Sequence, residues 1–142
     1  MKPLRLSPRD QADLLTFLRD LVRIPSPSSE ESAVAERIFQ EMEELGFADV
    51  RKDSVGNVVG RVGPPHGPTL MLNAHMDTVR VSARDSWTRD PFAAEVDGGL
   101  LYGLGSCDMK GGLAAMVYGA KLLRDAHVPL NGNVVVACVV QE

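Results

Sequence analysis

The first half of the chain contains two stretches in which apolar residues recur with the period of an α-helix. Apolar side chains stand at Leu14, Leu18, Leu21 and Val22 in the first stretch, and at Val34, Ile38, Met42 and Leu45 in the second. Ser7, which precedes a proline, is typical of a helix start, and Pro25 predicts that the helix ends at Ile24 because the residue before proline disfavours the α region. Ser29 is predicted to cap the second helix. The chain is therefore predicted to open with two amphipathic helices.

Apolar runs of strand length dominate the rest of the chain. The predicted strands lie near residues 48–52, 57–62, 69–75, 93–96 and 100–102, with a last run from residue 134 onward. A third helical face is formed by Leu113, Met116, Val117, Ala120 and Leu123. It predicts a helix from near Gly111 to near Ala126. Because helices and strands alternate, we predict an α/β domain with a mixed, mostly parallel sheet flanked by helices.

The composition is that of a globular domain and excludes several functional classes. The 142 residues suffice for one domain with a hydrophobic core. A net charge of −4 gives no electrostatic basis for binding nucleic acid. The sequence contains no apolar run of about 18 or more residues that could span a membrane, and its N-terminus lacks the apolar core of a signal peptide. Two cysteines, Cys107 and Cys138, indicate a reducing compartment rather than a disulfide framework. These features predict a cytoplasmic protein with no membrane or nucleic-acid partner.

Two candidate metal ligands stand at the edges of predicted elements. His75 closes the strand predicted at residues 69–75, and Asp108 comes just before the helix predicted from Gly111. Ligands of open α/β sheets bind beyond the carboxyl ends of the strands, so we expect these two side chains to meet there. Imidazole and carboxylate groups are suitable zinc ligands. Asp77 follows His75 by two residues and can accept a hydrogen bond from the second ring nitrogen, which would set the tautomer.

The same residues also fit plainer roles. His75 is compatible with an ordinary strand-end histidine, Asp108 with a helix cap and Asp77 with a turn. A glycine pair, Gly103 and Gly105, precedes the third helix and suggests a nucleotide-binding loop. That fingerprint requires a third glycine where Asp108 stands, and the negative charge of Asp108 opposes a phosphate. A metal site and a binding module without catalysis therefore remain the alternatives at this point.

Two segments of the chain resemble the M20 family of metallopeptidases and amidohydrolases. They read HMDTV from residue 75 and LYGLGSCDMKGGLAAM from residue 101, and they match that family in order, in residue type and in separation. The family includes peptidase T-like and carboxypeptidase G-like enzymes, acetylornithine deacetylases and succinyl-diaminopimelate desuccinylases. The resemblance covers nearly the whole chain. The segments SWTRDPF and VVQE most resemble a subgroup of hydrolases associated with selenium metabolism.

The resemblance implies a zinc-dependent hydrolase of an amide bond in a peptide or an N-acyl amino acid. It makes His75 a ligand of one of two zinc ions, for which Co²⁺ or Mn²⁺ can substitute, and makes Asp108 the carboxylate that bridges both ions. Asp77 would orient the ring of His75. Glu142 matches the first acid of the family's paired acidic residues, which acts as the general base.

Three neighbours of Asp108 carry further expectations. Lys110 is expected to point away from the metal ions, because they would repel its charge. Family members carry a non-proline cis peptide after the bridging carboxylate, so the resemblance predicts one between Asp108 and Met109. Cys107 is a weaker candidate for a thiolate ligand, since His75 and Asp108 already fit zinc better.

The last apolar run continues to the final residues, and natural domains seldom end with their last residues in a buried central strand. We therefore expect residues 1–142 to be the N-terminal portion of a di-zinc catalytic domain. The remainder of that domain, and a lid domain through which the parent would form a homodimer, are expected to lie outside these residues. Such a portion is expected to be inactive alone and to bind zinc weakly or not at all. The alternative is a truncated, non-catalytic remnant or a binding module with a hydrolase fold.

Overall fold

The computed structural model describes residues 3–141. Within this range, three longer helices and six strands follow one another as α1 (Pro8–Arg23), α2 (Ser32–Glu44), β1 (Ala48–Lys52), β2 (Val58–Val62), β3 (Thr69–His75), β4 (Glu95–Asp97), β5 (Leu100–Tyr102), α3 (Gly111–Asp125) and β6 (Asn133–Val139). A short 3₁₀ turn, Arg84–Ser86, lies between β3 and β4, and a π-type turn, Ser106–Lys110, leads into α3. No helix in the described range is long and apolar enough to cross a membrane.

The N-terminal ends of the first two helices differ in how well the local sequence predicts them. Helix α1 begins as predicted, with the Ser7 hydroxyl oxygen accepting a hydrogen bond from the main-chain N–H of Asp10 at 3.1 Å. The prediction that Ser29 caps α2 is wrong, because Glu31 occupies the N-cap position and makes no side-chain cap hydrogen bond. The Ser29 hydroxyl instead accepts a hydrogen bond from the Gln141 side chain at 2.7 Å. A contact across more than a hundred residues therefore replaces the local cap.

The four-stranded sheet has the order β1-β2-β6-β3. Strand β3 pairs with β6 in parallel, from Thr69 opposite Asn133 to His75 opposite Val139. The other two pairings in the described sheet, β1 with β2 and β2 with β6, are antiparallel. The predicted mixed sheet is confirmed, but the expectation that most of its pairings are parallel is wrong. Residues 53–57 join β1 to β2, and a parallel pair needs a crossover of about a dozen residues or more.

The hydrophobic core lies between one face of this sheet and the three helices. The sheet contributes Val58, Val62, Ala74, Val134, Val136 and Cys138, and the helices contribute Phe17, Leu21, Ile38, Met42, Leu113 and Val117. Gly60 allows α2 to approach β2 closely, since a Cβ atom there would lie 2.9 Å from the sulfur of Met42. This packing holds the carboxyl ends of β3 and β6 side by side.

A buried polar cluster joins α2 to α3 within this core. The Tyr118 hydroxyl donates to Oε1 of Glu41 at 2.6 Å, and Nη1 of Arg37 donates to Oε2 of the same carboxylate at 2.7 Å. Arg37 also donates to Asp20 at 3.2 Å and lies over the ring of Phe17. Burial, and then the hydrogen bond to Glu41, raise the pKa of Tyr118.

Candidate active site

His75 lies where parallel strand β3 reaches its carboxyl end. The pairing continues one residue further, because the Met76 N–H donates to the Val139 carbonyl at 2.8 Å. The chain then turns, and the Thr78 N–H donates to the Ser26 carbonyl at 2.8 Å. This turn leaves Asp77 only 6 % exposed. The turn after β3 thus keeps the imidazole of His75 and the carboxylate of Asp77 close together.

Asp108 reaches the same place from the turn that precedes α3. Gly105 enters this turn with a φ of 75°, and a Cβ atom there would lie 2.5 Å from Cγ2 of Thr78. At Asp108 and Met109 the main chain leaves helical geometry, and the peptide bond between them is cis, which confirms the prediction. The Asp108 side chain is 86 % exposed. Its carboxylate is therefore accessible to solvent.

His75 contacts Asp108 and Asp77 through its two ring nitrogens. Nε2 lies 3.0 Å from Oδ1 of Asp108. Nδ1 donates to the main-chain carbonyl oxygen of Asp77 at 3.0 Å, and Oδ1 of Asp77 is 3.5 Å from the same nitrogen. The sequence predicted the Asp77 carboxylate as the acceptor, and the structure places the carbonyl closer. Donation from Nδ1 leaves the lone pair of a neutral ring on Nε2, facing the carboxylate of Asp108.

The donor pair fits a metal ion. Two acceptor atoms that lie 3.0 Å apart, Nε2 of His75 and Oδ1 of Asp108, are satisfied by a shared proton or a shared cation. Two ligands of tetrahedral zinc with bonds of about 2.0–2.1 Å lie about 3.3 Å from each other. The donor types and their separation therefore both suit zinc. Within residues 3–141, no group of three or more His, Cys, Asp or Glu side chains is arranged to hold a metal ion, so this part of the chain supplies the pair alone.

A cleft of about 470 Å³ opens above the pair, a size in the range of small-molecule sites. Its wall includes Val79, Trp87 and Cys107 besides the His75 pair. Cys107 is exposed. The other cysteine, Cys138, is buried in the core, and burial raises the pKa of its thiol to about 12. Only Cys107 is thus placed near the candidate site.

Lys110 points away from the cleft, as predicted. Its ammonium donates to the main-chain carbonyls of Leu21 and Ile24, each at 2.8 Å, and the residue is 1 % exposed. Burial lowers the pKa of Lys110 to about 8. The side chain ties the turn that carries Asp108 to the end of α1. The sequence predicted that this lysine points away from the metal ions, but it did not predict the carbonyl groups that the lysine contacts.

The candidate base Glu142 lies outside the described residues. The chain up to Gln141 is held at the end of β6. The Val140 N–H donates to the Asn57 side chain at 2.9 Å, and the Gln141 N–H donates to Oε1 of Glu31 at 3.2 Å. Sequence reasoning also missed Ser28, which donates to Oδ2 of Asp77 at 2.5 Å. Its only signal in the sequence was a serine-rich turn between two predicted helices.

The fold of this chain is that of α/β metallopeptidase catalytic domains, as comparison with known proteins shows. The chain belongs to the peptidase family M20/M25/M40, whose family model matches residues 71–142. It is 42 % identical over 133 residues to the uncharacterized protein YgeY of Escherichia coli K12, covering 93 % of this chain and 32 % of that protein. It is 37 % identical over 111 residues to the succinyl-diaminopimelate desuccinylase of Legionella pneumophila strain Corby, and this match covers 77 % of this chain and 29 % of that protein.

Solved structures show the same fold. The M20 family metallo-carboxypeptidase Sso-CP2 from Sulfolobus solfataricus superposes with a TM-score of 0.78 at 27 % identity, over 96 % of this chain and 31 % of that one. The chain thus spans about a third of the length of the relatives it matches. The resemblance to a subgroup associated with selenium metabolism stays a prediction.

Proposed function

We propose that the intact protein is a metal-dependent hydrolase that cleaves an amide bond in a peptide or an N-acyl amino acid, with zinc as the metal. The observation that carries the proposal is the 3.0 Å approach of Nε2 of His75 to Oδ1 of Asp108 in an open cleft. Membership of a peptidase family, and relatives named as a desuccinylase and a metallo-carboxypeptidase, support the reaction class.

Each residue of the pair has a distinct role in this proposal. His75 would hold a metal ion through Nε2, because its Nδ1–H is engaged by Asp77. Asp108 would hold metal through its highly exposed carboxylate, shared between the two ions of the family's site. A shared carboxylate reduces the repulsion between two cations. Bound zinc supplies polarisation of the scissile carbonyl and lowers the pKa of water.

The proton transfer in this proposal belongs to Glu142. As general base, its carboxylate takes a proton from the attacking water and passes it to the nitrogen of the leaving amine. The motif resemblance carries this assignment. The cleft beside His75 would hold the acyl group or the peptide, and dimerisation and cytoplasmic location stay predictions.

The test measures zinc and turnover in the intact protein. Zinc content after dialysis and hydrolysis of a panel of dipeptides and N-acyl amino acids are compared among wild type, His75→Ala, Asp108→Ala and the control His66→Ala. His66 is an exposed histidine in a proline-glycine loop. We expect the first two variants to lose zinc and activity, and the control to keep both. Unchanged zinc content and turnover in His75→Ala would refute the proposal. Tight zinc binding without hydrolysis of any substrate would favour a binding module.

A further inference from the structure

We propose that Glu31 and Ser29 are positioning residues for the general base. Together they hold Gln141, the residue directly before Glu142, in one main-chain conformation beyond the end of β6. The catalytic part of this inference rests on the function proposed above, in which Glu142 is the base. The contacts themselves involve only Ser29, Glu31 and Gln141, and they are open to a separate measurement.

Gln141 has a strained main chain. Its φ is 52°, in the left-handed region that residues with a side chain adopt only at a cost. Such conformations persist where the surrounding contacts over-determine them, and they cluster at active sites. Val139 stands opposite His75 in the parallel pairing of β3 with β6, and Gln141 follows two residues later. The strained residue therefore lies where the chain leaves the sheet, at the same edge as the candidate metal ligand.

Two hydrogen bonds to the segment before α2 hold Gln141. Its N–H donates to Oε1 of Glu31 at 3.2 Å, and its side-chain amide donates to the Ser29 hydroxyl at 2.7 Å. One contact restrains the main chain and the other restrains the side chain, so together they limit rotation about the φ angle of Gln141. Because Gln141 and Glu142 share a peptide bond, these contacts set the point from which the base extends.

The side chain of Glu31 does not cap the helix that it begins. Glu31 is the N-cap residue of α2, but it makes no side-chain cap hydrogen bond. The residue is only 4 % exposed, and glutamate is rarely buried unless its carboxylate has a partner. The N–H of Gln141, 110 positions away, supplies a partner, and a hydrogen bond to a charged acceptor is stronger than one between neutral groups. The hydrogen bond of this buried carboxylate therefore goes to the chain beyond β6 and not to α2.

The experiment compares Glu31→Leu and Glu31→Gln in the intact protein, with Glu30→Leu as the matched control. Leucine removes the acceptor, whereas glutamine keeps a carbonyl oxygen that can accept from the Gln141 N–H. Glu30 is the exposed neighbour and accepts from Arg80 at 2.5 Å. With a substrate from the panel above, we expect Glu31→Leu to lower kcat about a hundredfold, the effect of a small misplacement of a catalytic group. KM and zinc content should not change, and the other two variants should stay close to wild type.

Amide hydrogen exchange, followed by NMR of the intact protein, gives a readout that does not depend on activity. In Glu31→Leu, we expect exchange at the Gln141 N–H to accelerate at least about tenfold more than exchange at the amides of β6. Strand β6 lies between β2 and β3 in the described sheet, so its amides report on the stability of the fold. In Glu31→Gln, the Gln141 N–H should stay protected. Equal acceleration at Gln141 and in β6 would mean a role in stability alone and would overturn the inference.

Ser29→Ala gives a second measurement if Glu31→Leu does not fold, because Ser29 is exposed. It should also lower kcat and leave zinc content unchanged. Wild-type kcat in those of the two variants that fold would overturn the inference, as would a loss of zinc in proportion to the loss of kcat. If Glu142→Gln keeps full turnover, the proposed role of Glu142 fails instead, and the exchange measurement alone still decides whether Glu31 holds Gln141.

Discussion

Replacing Tyr118 by Phe tests the buried polar cluster that joins α2 to α3. The variant removes the hydroxyl that donates to Glu41 at 2.6 Å, in a pair whose members are 1 % and 6 % exposed. The ring is kept, so the variant creates almost no cavity. A hydrogen bond to a charged group contributes about 1.5–3 kcal/mol. We therefore expect Tyr118→Phe to lower the free energy of unfolding by about that amount.

Equilibrium unfolding in urea at neutral pH measures this loss, with Tyr102→Phe as the control. Tyr102 is the other tyrosine of the chain, is only half-buried and packs its ring 4.0 Å from the guanidinium of Arg89. Its variant keeps this ring contact, and we expect a change within about 0.5 kcal/mol. Equal losses in the two variants would refute the argument that the buried hydrogen bond to Glu41 is the source of the stabilisation.

The pH dependence of the same comparison has a definite sign. Burial and Glu41 raise the pKa of Tyr118 above its usual value of 10.0. The folded protein therefore keeps the tyrosine proton at a pH where the unfolded chain loses it. The advantage of wild type over Tyr118→Phe is fully present below about pH 10, and it decreases as the pH rises from about 10 through the raised pKa. An advantage that stays constant up to pH 12 would contradict the assignment.

Two further predictions concern the site. Glu142→Gln in the intact protein should abolish turnover and leave zinc content unchanged, because the base acts on water; loss of zinc would show that this residue is a ligand. Gly105→Ala should destabilise the protein by about 1–3 kcal/mol more than Gly99→Ala in urea unfolding. Both glycines have positive φ, at 75° and 83°, but an added Cβ meets Thr78 at 2.5 Å only at Gly105, and Gly99 faces open space. Equal effects would mean that φ alone, and not the close approach, requires this glycine.

The sequence by itself determined the features that depend on neighbouring residues. The start of α1 at Ser7, its end before Pro25 and the strand that ends at His75 follow from capping, proline geometry and apolar period, and the structure agrees. The motif residues also pointed to His75 and Asp108, because imidazole and carboxylate at the ends of elements suit a metal. These inferences use only the chemistry of each residue and its close neighbours along the chain.

Tertiary structure alone decided how distant segments meet. Whether a strand pairing is parallel or antiparallel depends on which strands are neighbours in the sheet. In the described sheet, two of the three pairings are antiparallel. Ser29 accepts a hydrogen bond from Gln141 instead of capping α2 as predicted. Ser28 donates to Asp77, which lies 49 positions away in the chain. Apolar period records which side of an element is buried but not which element covers it. The contacts that orient His75 therefore came from packing between segments, which no local pattern encodes.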